Sequence, residues 1–193
     1  MEYRQALATG TLLAGEYRIT RILRQDGFCI TYDAEDLQLK QQVLVKEYFP
    51  AEIADRVRMS TVMPKSTRQV GVLSWGRQRF IEEAQTLTKF SHPGIARLKR
   101  VFEENNTAYA VVDAENWPTL LSYVDKLRRQ PTQNELDQVA RQLLDAVEVL
   151  HDAKVLVRDL APDSIYLRDK RQLVLVDFGT AKSQLAVVPQ CVV

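Results

Sequence analysis

Cysteine is scarce. Cys29 and Cys191 are the two among 193 residues. So few, and so far apart, they exclude a disulfide framework and a cysteine-rich zinc site, and they fit a reduced, cytoplasmic setting. An excess of one charge is also missing. Twenty-six basic and 25 acidic residues leave a net charge of +1, so neither nucleic acid nor an anionic membrane surface is expected as a partner. No apolar run approaches the roughly 20 residues that cross a bilayer. The opening residues, Met1–Leu13, have no basic stretch leading into an apolar core, so no secretory signal is expected. Internal repeats and low-complexity segments are absent as well.

What remains is an ordinary globular composition, 46% hydrophobic and 26% charged, long enough to bury a core in one or two lobes. Alternation and β-branched or aromatic content predict strands at Tyr17–Leu23, Phe28–Ala34, Val43–Glu47, Ile95–Phe102 and Thr107–Asp113. Tyr48–Trp75 reads as a long connection with Pro50 and Pro64, and Arg77–Phe90 as a helix with Phe80, Ala84 and Leu87 on one face. Ser91-His92-Pro93-Gly94 stops that helix. Past Asp113 the pattern turns helical. Leu120–Arg129 is one helix; a second starts after Thr132, with Glu135 completing a capping box. Leu136, Val139, Ala140, Leu143, Val147 and Leu150 give the second helix a strongly apolar face. The expected class is α+β, with a strand-rich part over 1–112 and a hinge and helical part over 113–193.

The chain is organised around Val155–Gly179, VLVRDLAPDSIYLRDKRQLVLVDFG. Strands at Ile165–Leu167 and Leu173–Val176 follow a loop around Arg158-Asp159 and lead into Asp177-Phe178-Gly179. This resembles the catalytic loop and DFG segment of protein kinases. In order with it come Lys46, Glu83 and His92-Pro93. Val43–Pro50 (VLVKEYFP) is similar to the third strand of bacterial serine/threonine protein kinases that read V-A-I-K-E-Y-F-P. The resemblance implies a protein-kinase-like fold: a five-stranded antiparallel small lobe with helix C, then a large lobe left incomplete after helices D and E, the catalytic loop and DFG.

It also implies roles. Lys46 and Glu83 are the phosphate-binding lysine and its helix C partner, with Glu82 the alternative if the helix phase shifts by one. The opposing reading is a snorkelling lysine and a solvated glutamate. Asp159 is the catalytic base position, or with Arg158 a structural hydrogen-bonding group. Asp177 and Ser164 are the magnesium positions; Asp177 otherwise caps a turn. Gly27 in the first turn and Val112, Asp113 and Glu115 at the hinge are the nucleotide contacts. The cofactors implied are ATP and Mg2+, and the chain binds neither if the departures from the family pattern prevail.

Those departures are specific. Arg24, Gln25, Asp26, Gly27, Phe28 and Cys29 stand where the family has G-x-G-G-F-G, so side chains obstruct the backbone approach to phosphates. Asp26 brings a negative charge that costs on the order of 4 kcal/mol against a phosphate about 4 Å away, before screening. Leu44 replaces the alanine of the adenine floor, and Ala161 and Ser164 replace the Lys and Asn of the catalytic loop. No A-P-E motif follows Gly179. The Leu136–Leu150 face is therefore expected to lack its family cover, and a partner protein, a second copy in a homodimer or the apolar tail Ala186–Val193 is expected to supply it. Three readings follow: a pseudokinase acting as a binding or scaffolding module, a divergent active serine/threonine kinase, and an ATP-sensing switch without phosphoryl transfer.

Overall fold

Apolar and β-branched residues concentrate in the predicted strands, and each strand finds an antiparallel neighbour. The computed structural model describes residues 5–113, 117–153, 155, 157, 160–169 and 172–176. These divide into two compact units. The first holds residues 5–88 and 98–113, the second residues 89–97 and the described residues from 117 to 176.

The first unit is built on a six-stranded sheet. Its strands are β1 (Leu12–Leu13), β2 (Tyr17–Gln25), β3 (Cys29–Asp36), β4 (Gln41–Tyr48), β7 (Leu98–Glu104) and β8 (Thr107–Val112), in the order β1-β2-β3-β4-β8-β7. Five were expected; β1 is the addition, two residues paired to the start of β2. All six residues of β8 are buried. The stretch between β4 and the helix is not a bare connection. It carries the hairpin β5 (Ala54–Val57) and β6 (Thr61–Pro64), then a 3-10 turn at Thr67–Gln69. Pro64 sits at the end of β6, where its missing N–H disturbs no further ladder bond.

Helix α1 runs over Val70–Leu87, starting seven residues before the predicted Arg77. Gly71, Ser74 and Gly76 have low helix propensity and hid its first two turns. Packing overrides them. Leu73, Gly76, Phe80, Ala84 and Leu87 form the buried stripe. Gly76 is required there, because a Cβ on it would lie 2.1 Å from the Tyr48 hydroxyl oxygen of β4. The Tyr48 and Phe80 rings meet at 6.0 Å.

In the second unit, α2 (Leu120–Lys126) is capped by Thr119, and α3 spans Gln133–Asp152. The α3 capping box is present: the Thr132 hydroxyl oxygen accepts the Glu135 N–H, and Glu135 accepts the Thr132 N–H. β9 (Ile165–Arg168) and β10 (Gln172–Leu175) form a hairpin. The segment after α1 belongs here because Ile95 bridges Leu175, the Ala96 N–H donates to Leu175 at 2.8 Å and the Leu175 N–H donates to Gly94 at 2.9 Å. Gly94 packs where a Cβ would come 3.1 Å from that of Ala146 on α3.

Candidate nucleotide site

Alternation along β4 assigns its residues to two faces. Leu44 and Lys46 share one; Val43, Val45 and Glu47 share the other. Lys46 lies opposite Thr31 of β3 and Ala110 of β8, and Leu44 opposite Asp33 and Val112. The Leu44 side chain is 2% exposed. On α1, Glu83 is half-buried beside the Phe80–Leu87 stripe, whereas Glu82 is exposed and ion-paired to Arg79 at 2.8 Å. The two candidate glutamates thus face different surroundings. At the hinge, Val112 is buried and the Asp113 carboxylate lies 3.6 Å from the ammonium of Lys99.

The turn between β2 and β3 is closed on itself. The Asp26 carboxylate oxygen Oδ1 accepts the backbone N–H of Phe28 at 2.8 Å and of Cys29 at 2.9 Å. The Asp26 N–H donates to the Cys29 carbonyl at 2.9 Å, and Arg24 pairs with the other carboxylate oxygen at 3.2 Å. The turn is also stitched to the end of β4: Gly27 and Phe28 carbonyls accept the N–H groups of Ala51 and Phe49 at 3.0 and 2.7 Å. Gly27 itself is exposed.

In the second unit Ser164 is 5% exposed and turned onto its own loop. Its hydroxyl donates to the Ala161 carbonyl at 2.8 Å and accepts the Ala161 N–H at 3.3 Å. Arg158, Asp159, Glu115, Asp177, Phe178 and Gly179 lie outside the described residues. Among the described residues no group of three or more His, Cys, Asp or Glu side chains can hold a metal ion. No described helix is long and apolar enough to cross a membrane. A phosphate chain at the β2–β3 turn would need free backbone amides, and those of Phe28 and Cys29 are taken by the Asp26 carboxylate, so this turn as it stands does not fit a phosphate group.

The polar centre that the sequence reading overlooked lies on the opposite face of β4. Glu47 is fully buried, and its carboxylate accepts hydrogen bonds from Arg56 at 2.7 Å, Tyr32 at 2.6 Å and Tyr109 at 3.0 Å. Burial and then the Glu47 charge push both phenols well above the ordinary tyrosine pKa. Burial works against the Arg56 charge, but Glu47 and the phenols hold its pKa above the usual arginine value. Arg56 reaches this site from β5 and also donates to the Gln5 carbonyl at 2.5 Å. The centre ties β3, β4, β8, the β5–β6 hairpin and the chain's start together. A signal for it existed: Glu47 continues the Val43, Val45 alternation onto a core face.

Comparison with known proteins agrees with this architecture. The protein kinase domain family matches residues 50–188. Serine/threonine-protein kinase B of Synechocystis is 29% identical over 94% of the chain, and serine/threonine-protein kinase PknA of Mycobacterium tuberculosis 28% identical over 90%. The chain spans only 29% and 37% of those relatives. A solved structure, PpkA-294 in its apo form, superposes with a TM-score of 0.84 at 29% identity, covering 94% of this chain and 64% of that one. The chain belongs to the protein kinase family, and its relatives are bacterial serine/threonine kinases among others.

Proposed function

We propose that the chain is a kinase-like binding module that holds ATP weakly or not at all and acts through protein contacts. The observation that carries this reading is Leu44. It is buried on the Lys46 face of β4, between Asp33 and Val112, where the family's alanine leaves room for the purine. Three added carbons in a packed slot cost about 1–3 kcal/mol when a purine has to enter as well. Ala161 compounds this, because it offers no cation to a transferring phosphoryl group, and loss of such a group slows transfer by about 10²–10³. The α3 face supports the second half of the proposal. On that face Leu150 is buried and Val139, Leu143 and Val147 are half-buried, but Leu136 is 48% exposed and Leu144 on its flank 68%, which suits a partner protein or a second copy of the chain.

The test is calorimetric titration of the chain with ATP, with and without magnesium, beside Leu44→Ala. No saturation of the wild type up to millimolar ATP, with binding regained in Leu44→Ala, supports the reading. Magnesium-dependent phosphoryl transfer by the wild type, lost in Asp177→Ala and Asp159→Ala, refutes it. One observation favours a second reading, a divergent active kinase. Lys46 lies on β4 and Glu83 on α1, and these are the residue types that a nucleotide-holding pair on those elements would use.

A further inference from the structure

Three features converge at the β2–β3 turn. Two consecutive amides, of Phe28 and Cys29, point at one carboxylate oxygen. A cation, Arg24, sits on the other oxygen of the same carboxylate. The turn's course is fixed by backbone bonds that do not involve that carboxylate, from Ala51 to Gly27, from Phe49 to Phe28 and from Asp26 to Cys29. Adjacent amides converging on one point, with a guanidinium beside them, form a seat for an anionic oxygen. Here the anion is supplied by the chain itself.

We propose that the Asp26 carboxylate is a built-in anion occupying a polyphosphate seat formed by the Phe28 and Cys29 amides and Arg24, so that one side chain closes an otherwise formed site. This deepens the functional reading above, since it rests on the turn facing a nucleotide's phosphates, but it concerns a different part of the site from Leu44. The ligand class is a polyphosphate chain, free or carried on a nucleotide. Two effects of Asp26 separate cleanly. It repels phosphate through its charge, and it uses the donors that phosphate needs. Asparagine removes the first and keeps an oxygen for the amides; glycine removes both. Because the Ala51 and Phe49 bonds remain, the amides keep their direction when the side chain is gone.

The experiment is a titration of the full chain with inorganic tripolyphosphate, read from the backbone amide signals of Phe28 and Cys29 by NMR. Wild type, Asp26→Asn, Asp26→Ala and Asp26→Gly are compared. The expected result is saturable movement of those two signals in the Gly and Ala variants. Their affinity is expected to exceed that of the wild type and Asn variant by about tenfold or more, the equivalent of one charged hydrogen bond. Equal affinity in the Asn and Gly variants would show that charge alone is at work and overturn the occupied-seat proposal. No movement in either the Gly or the Ala variant, with the β4 amide signals in their wild-type positions, would also overturn it. Should Asp26→Gly fail to fold, Asp26→Ala decides alone. Phosphoryl transfer by the wild type would remove the functional reading without touching this comparison, which is read from tripolyphosphate and not from activity.

Discussion

Tyr48 ends β4 with its hydroxyl pressed against Gly76 and, among the described residues, without a hydrogen-bond partner. A buried hydroxyl with no partner contributes packing and no hydrogen bond. Tyr48→Phe should therefore leave the urea midpoint unchanged or raise it. Gly76→Ala should lower stability by about 1–3 kcal/mol through overpacking. In the double variant part of that loss should return, because the oxygen 2.1 Å from the new methyl is gone while the ring carbon 2.9 Å from it stays; additive losses would contradict the contact. Glu47 poses the opposite case, a fully buried charge answered from three sides. Arg56→Ala should cost about 3–5 kcal/mol in urea denaturation, because it strands the carboxylate. Arg56→Ala combined with Glu47→Gln should cost less than Arg56→Ala alone. Neither Tyr48 nor Glu47 stood out in the sequence. Both fall in the VLVKEYFP segment, whose family likeness drew the reading to Lys46, and burial of a glutamate becomes visible only once β5 and β8 supply Arg56 and Tyr109.

At the scale of elements, α3 was legible to the residue at its start, since a capping box is a local pattern that tertiary packing did not override. Glu135 of that box is held down to about pKa 2 by its bonds to Arg129 and to the Thr132 N–H and hydroxyl. A depressed carboxylate adds stability that is complete above its unfolded pKa, near 4.3, and is lost as pH falls through the folded value. The N-terminal turn of α3 should therefore loosen between about pH 5 and pH 2, seen as faster amide exchange at Glu135–Asp137. Glu135→Gln should remove that pH dependence. Helix α1 was less legible, because its first turns hold two glycines, of which Gly76 is there for its contact with Tyr48 and not for helicity. The β5–β6 hairpin was missed for a similar reason: its residues, ADRV and TVMP, carry no clean alternation. The β2–β3 turn was read correctly as poor in glycine and acidic. That Asp26 would seize the turn's own amides depends on backbone directions no composition reveals.

Across the whole chain, the order of strands, helix and catalytic-loop hairpin was readable because the kinase likeness rests on several spaced motifs and not on one. The site was readable only in part. Lys46, Leu44 and Glu83 lie on β4 and α1 as the alternation and helical phase place them, while Asp159, Asp177 and Glu115 lie outside the described residues. The exposed Leu136 and Leu144 on α3 lead to a prediction about assembly. If a second copy covers that face, light scattering over a dilution series should report a dimer mass that Leu143→Glu reduces to the monomer. A constant monomer mass would leave a different protein as the partner. The proposed lack of nucleotide binding rests on Leu44 filling the Lys46 face of β4. Calorimetric titration of the wild-type chain with ATP, in magnesium and in EDTA, tests that most directly. No saturable heat is expected up to millimolar ATP in either condition. A saturable, magnesium-dependent affinity in the micromolar range would contradict it.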